Sequence, residues 1–561
     1  MHLCLAISEL LRTIITNTTQ DGTLASLART CKAFKDPALD VLYAELSSLY
    51  PLVKCMPQDL WEDEADCLSF VRPMKTSDWD VFRRYARRVR SFNHSHTFDS
   101  KTVTVSVFQA LSMHPTLSSL VPNLRQLSWN DTREAPTVFL RFIIGPSLVS
   151  CTIYQTSGRA ITIVPALGAL CPFMKRIDLP ASQPSSRAKD IISDALCNWN
   201  NLESLKCGII TGKALLHIAG LPSLKALTFR IPTIPTTFHG SSLGEGAFPA
   251  LESLTIFSYN SRDPCFTAFF KALKTPIHIS SFWMTAGQYD DGDPRANPGN
   301  HDIKPSVDVI SESLVSLTSK CCAETLGSIT ICHDLEDLPI QFPANLAITF
   351  NTLRLLLPFR HLRTLNIDPS CAFSLDDAAL AEMAIAWPNM EDLGLGTAYG
   401  WRAPSKITLQ GLIPLLRNCP KLMYLGIVID ATVVPPRTKH ESNIQHEWLQ
   451  ELVLADSPIT KPAYVSAFLS DALSSIPLIS SWDGELTNFE GAKKYRRRWA
   501  QVRKMMGAFK SVRGQERRRW KKEGRRERRD GDQDTEPESE SDISFEDDEN
   551  WDTDSSGSLT E

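Results

Sequence analysis

The sequence predicts an α/β fold that has a small helical segment at its amino terminus, then a long solenoid of alternating strands and helices, and then a charged tail. Three observations support this order. A nine-residue phrase with fixed apolar positions recurs between residues 121 and 454. The first 46 residues carry apolar stripes at helical spacing but lack this phrase. The last 69 residues separate into a basic block and an acidic block.

The repeated phrase is seen in "VPNLRQLSW" from Val121, "LPSLKALTF" from Leu221 and "CPKLMYLGI" from Cys419. Its fourth, seventh and ninth residues are apolar in nearly all of eleven copies, and weaker copies begin near Val89 and Ile279. Alternation between the seventh and ninth positions predicts a strand. Segments between copies often have helical spacing, as in "LQGLIPLLRN" (409–418). The repeating unit is therefore predicted to be a strand, a loop and a helix.

One such unit cannot fold alone. It has about three aliphatic side chains to bury, each contributing about 1.5–3 kcal/mol. Ordering some 25 residues costs about 1–2 kcal/mol per residue in backbone entropy. Stacked units share a continuous core, which is the physical basis of a solenoid.

Charge and cysteine content narrow the class of protein. The net charge is -5 overall, but residues 493–529 carry +15 and residues 530–561 carry -14, which leaves -6 on residues 1–492. Fourteen cysteines occur without a C-x-x-C pair, which favours free thiols in a reducing compartment. The opening "MHLCLAISELL" does not have the form of a signal peptide, and no apolar run approaches the roughly 20 residues of a membrane span. We therefore expect a soluble protein of the cytoplasm and/or the nucleus, without a membrane partner.

The stretch "LASLARTCKAFKDPALDVLYAEL" (24–46) carries two helical stripes, which we expect to be separated at Asp36-Pro37, with Asp36 as N-cap and Pro37 in the first turn. An earlier stripe contains Ile7, Leu10, Leu11, Ile14 and Ile15. Three short helices in about 45 residues bury little surface and gain stability from a partner. The segment is therefore predicted to be a small docking module.

The repeated L-x-x-L-x-L core resembles the leucine-rich repeat over residues 85–485. The resemblance implies a horseshoe-shaped solenoid with strands on its concave face and helices outside. It also implies that the variable strand positions face a protein partner. The candidate substrate-binding residues on that concave face are Tyr154, Arg176, Asp178, Lys206, Arg230, Phe257, Asp368, Asp392 and Tyr424.

The amino-terminal module resembles the F-box through "AISELLRTII", "LASLARTCKAF" and "PALDVLYAEL". An F-box, a spacer and leucine-rich repeats in this order are similar to a large group of fungal F-box proteins. Ser8 stands where that family usually has proline, and Tyr43 stands where it often has tryptophan. The resemblance implies that the F-box binds the Skp-type adaptor of an SCF-type cullin-RING ubiquitin ligase, while the repeats hold a protein substrate.

The boundaries expected from this resemblance are an F-box at 1–50, a helical spacer at 51–84, the repeats at 85–485, a basic helical segment at 486–529 and a disordered acidic tail at 530–561. The implied adaptor-binding residues are Ile7, Leu10, Leu11, Ile14, Leu24, Leu27, Pro37, Leu39, Leu42 and Tyr43.

The basic segment contains Tyr495, Trp499 and Trp520 among its cations. It is open to three interpretations: a nuclear localisation signal, a nucleic-acid contact, or a solvated helix paired with the acidic tail. The last of these is favoured, because the adjacent -14 block competes with nucleic acid for the basic residues. Residues 493–561 are expected to be dispensable for folding, because the last copy of the phrase ends at Leu454 and the apolar pattern fades after Trp482.

The sequence favours no catalytic, cofactor or metal site. "GSSLG" (240–244) matches G-x-S-x-G around Ser242, but proline and glycine replace the strand and helix that a nucleophile elbow needs. The function that the resemblance implies is a substrate receptor that performs no chemistry. The alternative is a leucine-rich-repeat scaffold, inside or outside the nucleus, without a role in ubiquitin transfer.

Overall fold

The computed structural model describes residues 7–95, 101–113, 119–131, 137–154, 160–179, 186–231, 243–258, 264–287, 307–334, 347–369, 371–434 and 445–529. The chain forms two compact units, Met1–Met506 and Gly507–Glu561. The acidic segment 530–561 and Ser242 lie outside the described residues.

The strands of the described residues are short and follow the chain in regular order. They are β1 (Glu45–Leu46), β2 (Trp61–Glu64), β3 (Cys67–Phe70), β4 (Ser91–Ser95), β5 (Thr102–Val103), β6 (Gln126–Asn130), β7 (Ser150–Ile153), β8 (Arg176–Asp178), β9 (Ser204–Ile209), β10 (Ala226–Arg230), β11 (Ser253–Ser258), β12 (Ser281–Gly287), β13 (Ser328–Asp334), β14 (Ile348–Thr349), β15 (Thr364–Asp368), β16 (Phe373–Ser374), β17 (Asp392–Leu395), β18 (Tyr424–Gly426), β19 (Glu451–Val453) and β20 (Leu478–Ser480).

Fifteen of these strands form one parallel sheet in the order β1-β4-β6-β7-β8-β9-β10-β11-β12-β13-β15-β17-β18-β19-β20. Each strand of this sheet pairs with the strands of the same sheet that come just before and just after it in the chain, as expected for stacked units. Strands β2, β3 and β5 form a separate three-stranded sheet, and β14 pairs with β16. The chain is thus an α/β protein with one large parallel sheet.

Helices connect the strands. They are α1 (Ser8–Thr16), α2 (Asp21–Thr30), α3 (Lys32–Leu42), α4 (Tyr50–Lys54), α5 (Thr76–Ala86), α6 (Val105–Ser112), α7 (Val164–Leu170), α8 (Ser186–Leu196), α9 (Gly212–Ala219), α10 (Pro264–Ala272), α11 (Val307–Lys320), α12 (Phe350–Leu353), α13 (Asp377–Ala386), α14 (Leu412–Asn418), α15 (Pro462–Ala472) and α16 (Ala492–Arg529), with 3-10 turns at Val138–Phe142, Ala160–Ile163, Arg354–Leu356 and Gly484–Asn488.

The repeated phrase provides the core of the large sheet. Its fourth, seventh and ninth residues are buried in all eleven copies, for example Leu251, Leu254 and Ile256 in the copy that begins at Phe248. The weaker copies near Val89 and Ile279 coincide with β4 and β12. Because alternate residues of a strand point to opposite faces, the residues between the apolar ones lie on the face away from the helices. We call that side the open face.

The amino-terminal module differs from the sequence-based expectation at its helix boundary. Cys31 has an extended backbone and separates α2 from α3, and α3 then continues through Pro37 without a break. The expected N-cap, Asp36, forms an ion pair with Arg88 instead. Leu46, expected on the last helical stripe, belongs to β1 and opens the large sheet. The expectation of a break at Asp36-Pro37 is therefore wrong.

The spacer also differs from the expectation that it is helical. Residues Trp61–Glu64 and Cys67–Phe70 form an antiparallel pair between α4 and α5. The tight turn between them places Ala65 and Asp66 at positive φ, which the sequence pattern did not indicate.

The first turns of α16 belong to the fold rather than to a dispensable tail. Trp499, Val502 and Met506 are buried, and the Trp499 indole Nε1 donates to the Ser457 carbonyl at 3.0 Å. The Trp482 indole donates to the same carbonyl at 3.0 Å. The expectation that residues from 493 onwards do not contribute to folding is therefore wrong up to Met506, because one face of this basic helix is apolar.

Two truncations distinguish the part of α16 that supports the fold from the rest. Ending the chain after Met506 should leave the melting temperature nearly unchanged, because none of the residues 507–515, 518 and 519 is buried. Ending it after Gly491 removes the buried side chains of Ala492, Trp499, Val502 and Met506 and should lower the free energy of unfolding by about 5 kcal/mol or more. Calorimetric melting of both variants and the full chain provides the measurement, and equal melting temperatures for the two truncations would contradict this role of α16.

Candidate partner-binding surfaces

The first surface lies on α1 and is an exposed apolar stripe. Ile7, Leu10 and Ile14 are 47%, 45% and 49% exposed, and their spacing of three and four residues aligns them on one side of the helix. Leu11 and Ile15 lie on the opposite side and are buried. We call Ile7, Leu10 and Ile14 the α1 stripe. An aligned apolar stripe beside a packed face is typical of a surface that a partner covers.

Four of the other expected adaptor-binding residues lie in the core of the module or pack against it. Leu11 and Leu24 belong to a small core with Ile15 and Ala38, so they are not available to a partner. Leu27 and Leu42 are partly buried against that core. Pro37 and Leu39 are partly exposed on α3. Of the ten expected residues, those of the α1 stripe are the most accessible.

Tyr43 connects the module to the rest of the chain rather than to solvent. Its ring lies 5.0 Å from that of Tyr85, and its hydroxyl lies 2.8 Å from the Cys55 sulfur. Burial is the main cause that raises the pKa of Tyr43, with a smaller contribution from Cys55.

A buried arginine also anchors the module, which the sequence pattern did not indicate. The Arg88 side chain, just before β4, is 7% exposed and pairs with Asp36 at 2.6 Å and with Asp40. Its guanidinium also donates to the Asp36 carbonyl at 3.2 Å. Burial lowers the pKa of Arg88, but the two carboxylates outweigh it and the pKa stays above its usual value. This contact fixes α3, and with it the orientation of α1.

The second surface is the open face of the large sheet, where registered residues form two rows. One row runs through Ser150, Arg176, Ser204, Ala226, Ser253, Ser281, Ser328, Thr364, Asp392, Tyr424 and Glu451. The other runs through Thr152, Asp178, Lys206, Thr228, Thr255, Trp283, Thr330, Asn366 and Gly394. Serine and threonine are the commonest residues in the middle of both rows, which also hold Ala226 and Trp283. The charged residues are Arg176, Asp392 and Glu451 in the first row and Asp178 and Lys206 in the second.

The amino-terminal part of the open face is mixed in charge. Arg176 and Lys206 are exposed, and the Lys206 ammonium lies 3.6 Å from Asp178. Burial raises the pKa of Asp178, while Lys206 opposes that shift. Tyr154, just after β7, is well exposed. These four expected partner contacts are accessible.

Arg230 is the exception among the expected contacts. It is only 1% exposed and lies between two other buried residues, Phe229 and Ile231. The register between β9 and β10 shifts between Thr228 and Arg230. Because consecutive residues are buried, both faces of β10 are covered at this point. The prediction that Arg230 contacts a partner is therefore wrong.

Aromatic side chains lie near the middle of the open face. Trp283 is 48% exposed, and its indole Nε1 donates to the Thr285 hydroxyl at 2.8 Å. Phe257, on the neighbouring strand, is partly buried. Trp283 was not singled out from the sequence, although its position between Phe282 and Met284 on a weak copy of the phrase could have placed it on the open face.

The carboxyl-terminal part of the open face is acidic. Asp392 accepts a hydrogen bond from the Asn366 amide at 3.2 Å, and burial raises its pKa. The Asp368 carboxylate accepts the Ala398 backbone N–H at 3.0 Å. Burial raises the pKa of Asp368 to about 6, although that backbone N–H acts in the opposite direction. Tyr424 is partly buried, and burial raises its pKa also.

The described residues contain no group of three or more His, Cys, Asp or Glu side chains arranged to hold a metal ion. Within the described part of the chain, no helix has both the length and the apolar character needed to cross a membrane. Cys151, Cys171, Cys207 and Cys419 are free thiols, as the sequence pattern indicated, and all four are buried. Burial raises the pKa of Cys207 to about 12, so this thiol is held in its neutral form.

The chain matches no protein-family model and no curated protein sequence. The two surfaces are therefore the features of the molecule that bear on its function.

The raised pKa of Asp368 predicts a pH-dependent effect on stability. A carboxyl whose folded-state pKa lies above its unfolded value of about 4 stabilises the fold at low pH, and that contribution is lost as the pH rises through about 6. The free energy of unfolding of Asp368→Asn, relative to that of the natural chain, should therefore rise by about 2 kcal/mol as the pH increases from about 4.5 to about 7.5. Chemical denaturation at both pH values measures this difference. Glu324→Gln, in an exposed turn, is the control, and an equal difference for Asp368→Asn at both pH values would contradict the shift.

Proposed function

We propose that the chain is the substrate-receptor subunit of an SCF-type cullin-RING ubiquitin ligase. The α1 stripe and adjacent parts of α3 bind a Skp-type adaptor, which in turn connects to the cullin. The open face of the large sheet binds a protein substrate. The receptor performs no catalysis; it raises the local concentration of the substrate near the transfer machinery.

The observation that carries this proposal is the α1 stripe on a module with its own core. A three-helix module with so small a core is marginal alone. It nevertheless leaves three large apolar side chains exposed on one side of one helix. Burying each of them against a partner contributes about 1–2 kcal/mol, because they are already half covered. The resemblance of the segment to the F-box supplies the identity of the partner.

The open face suits a protein substrate better than a small molecule. It presents hydroxyl side chains, the exposed Trp283, a group of mixed charge near its amino-terminal end and acidic residues near its carboxyl-terminal end. Extended surfaces of this kind, assembled from successive repeats, are the binding surfaces of solenoid proteins. A substrate that complements this face would place basic groups near Asp392 and acidic groups near Arg176.

Purification of the tagged chain from cells tests the adaptor contact. Leu10→Asp with Ile14→Asp should abolish co-purification of a Skp-type adaptor and of the cullin, because two charges would face an apolar partner. Both side chains point outward, so the variant should keep the melting temperature of the natural chain. Val71→Asp, at a position 53% exposed on another surface, is the matched control and should retain both partners.

The same experiment separates the receptor from a scaffold without a ubiquitin-ligase role. A folded Leu10→Asp, Ile14→Asp variant that still brings down the adaptor would disprove the proposed contact. If the natural chain brings down other proteins but neither adaptor nor cullin, the scaffold is the better description.

A further inference from the structure

The residues just before the strands of the large sheet form a continuous row along one edge. The backbone N–H of Arg125 donates to the Arg90 carbonyl at 2.8 Å, and the N–H of Val149 donates to the Arg125 carbonyl at 2.9 Å. The same bond links Lys175, Glu203, Lys225 and Glu252 in turn. Because adjacent strands lie about 4.8 Å apart, side chains on neighbouring positions of this edge row interact directly.

Cations on the edge row fall into two groups. Lys175, Lys225 and Arg363 each face a glutamate on the next strand, at 2.7 Å from Glu203, 3.3 Å from Glu252 and 3.9 Å from Glu391, respectively. Arg90 and Arg125 are neighbours, and the next position is Val149. Within the described residues, neither of these two guanidinium groups lies within 4 Å of a carboxylate.

The two arginines line a surface cavity of about 350 Å³. The other lining residues are Asn123, Pro146, Ser147, Val149 and Phe173. The Arg87 carbonyl accepts hydrogen bonds from Arg90 Nη1 at 2.8 Å and from Asn123 Nδ2 at 2.7 Å, which fixes both side chains. The Arg125 side chain makes no hydrogen bond to another described residue. Donors are thus positioned at the cavity, and like charges stand side by side.

The apolar part of the cavity is also open. Phe173 is 60% exposed, and Val149 and Pro146 line the same cavity. A ligand for this cavity therefore needs carboxylates for the guanidinium groups and an apolar side chain for Phe173. A simple anion would leave the aromatic ring uncovered.

We propose that this cavity binds an acidic segment of a partner protein, in which an apolar residue lies between Asp or Glu residues. Charge complementarity supports this occupant, because two adjacent guanidinium groups repel each other until an anion lies between them, and bidentate carboxylate binding suits arginine. The site lies at the edge where the strands begin, away from the open face. It does not depend on whether the α1 stripe binds the adaptor.

Fluorescence anisotropy with the intact chain and a labelled peptide, Glu-Glu-Leu-Phe-Glu-Glu, tests the proposal. Arg125→Glu and Arg90→Glu should each weaken binding by roughly tenfold or more, since hydrogen bonds between charged groups are lost and repulsion is added. Phe173→Ala should weaken binding severalfold without changing its dependence on salt, because it removes apolar contact and no charge.

Two controls identify the source of any binding. Lys225→Glu changes the net charge by the same amount at a paired position of the edge row and should leave the affinity unchanged. A peptide with Gly-Gly in place of Leu-Phe should bind severalfold more weakly. Should Arg125→Glu fail to reach the natural melting temperature, Arg125→Gln removes the charge, adds no repulsion and keeps a polar side chain at this position.

Several results would overturn the proposal. They are an absence of peptide binding at physiological salt, equal losses for Lys225→Glu and Arg125→Glu, and undiminished binding of the Gly-Gly peptide. Equal losses would indicate attraction to the overall charge, and undiminished binding of the Gly-Gly peptide would indicate a site for simple anions.

Discussion

The structure depends on the backbone hydrogen bonds that join each repeated unit to the one before it. At every junction of the large sheet from β1 to β19, one carbonyl accepts two successive N–H groups of the next unit; the Arg90 carbonyl, for example, accepts from Arg125 at 2.8 Å and from Gln126 at 3.0 Å. These bonds fix the register, so the apolar residues of all units align in one core and the residues between them align on one open face. A single unit buries too little apolar surface to fold, whereas stacked units bury enough because they share one core.

The alignment of successive units also determines which charged side chains can form ion pairs with each other. Residues at the same position of successive units become neighbours, so a cation is stabilised by a glutamate in the next unit or must find an anion elsewhere. Lys175 and Lys225 belong to the first kind, and Arg90 and Arg125 belong to the second. Arg88 represents a third kind, since its carboxylate partners lie on a helix of the amino-terminal module. Arg88 thus attaches the amino-terminal module to the large sheet. In our proposal, Arg90 and Arg125 recognise an acidic segment of a partner protein.

The sequence predicted the core well and the surfaces less well. The fourth, seventh and ninth residues of the phrase could be identified because burial in a repeat follows a fixed spacing. Arg230 was misplaced because its exposure depends on a register shift and on covering of both faces, neither of which has a local signal. The break at Cys31 and the pairing of Asp36 with Arg88 were missed because a contact across 52 residues overrides the local capping preference of aspartate. The cavity at Arg90 and Arg125 was missed because it becomes visible only when the edge row is compared between units.

Hydrogen–deuterium exchange on the intact chain, with and without a purified Skp-type adaptor, tests the central claim most directly. We propose that the large sheet is a fixed framework and that the amino-terminal module engages the adaptor. Adding the adaptor should slow amide exchange in α1 and α3 and leave the strands β6 to β19 unchanged. Unchanged exchange in α1 and α3, or protection confined to the large sheet, would contradict this account.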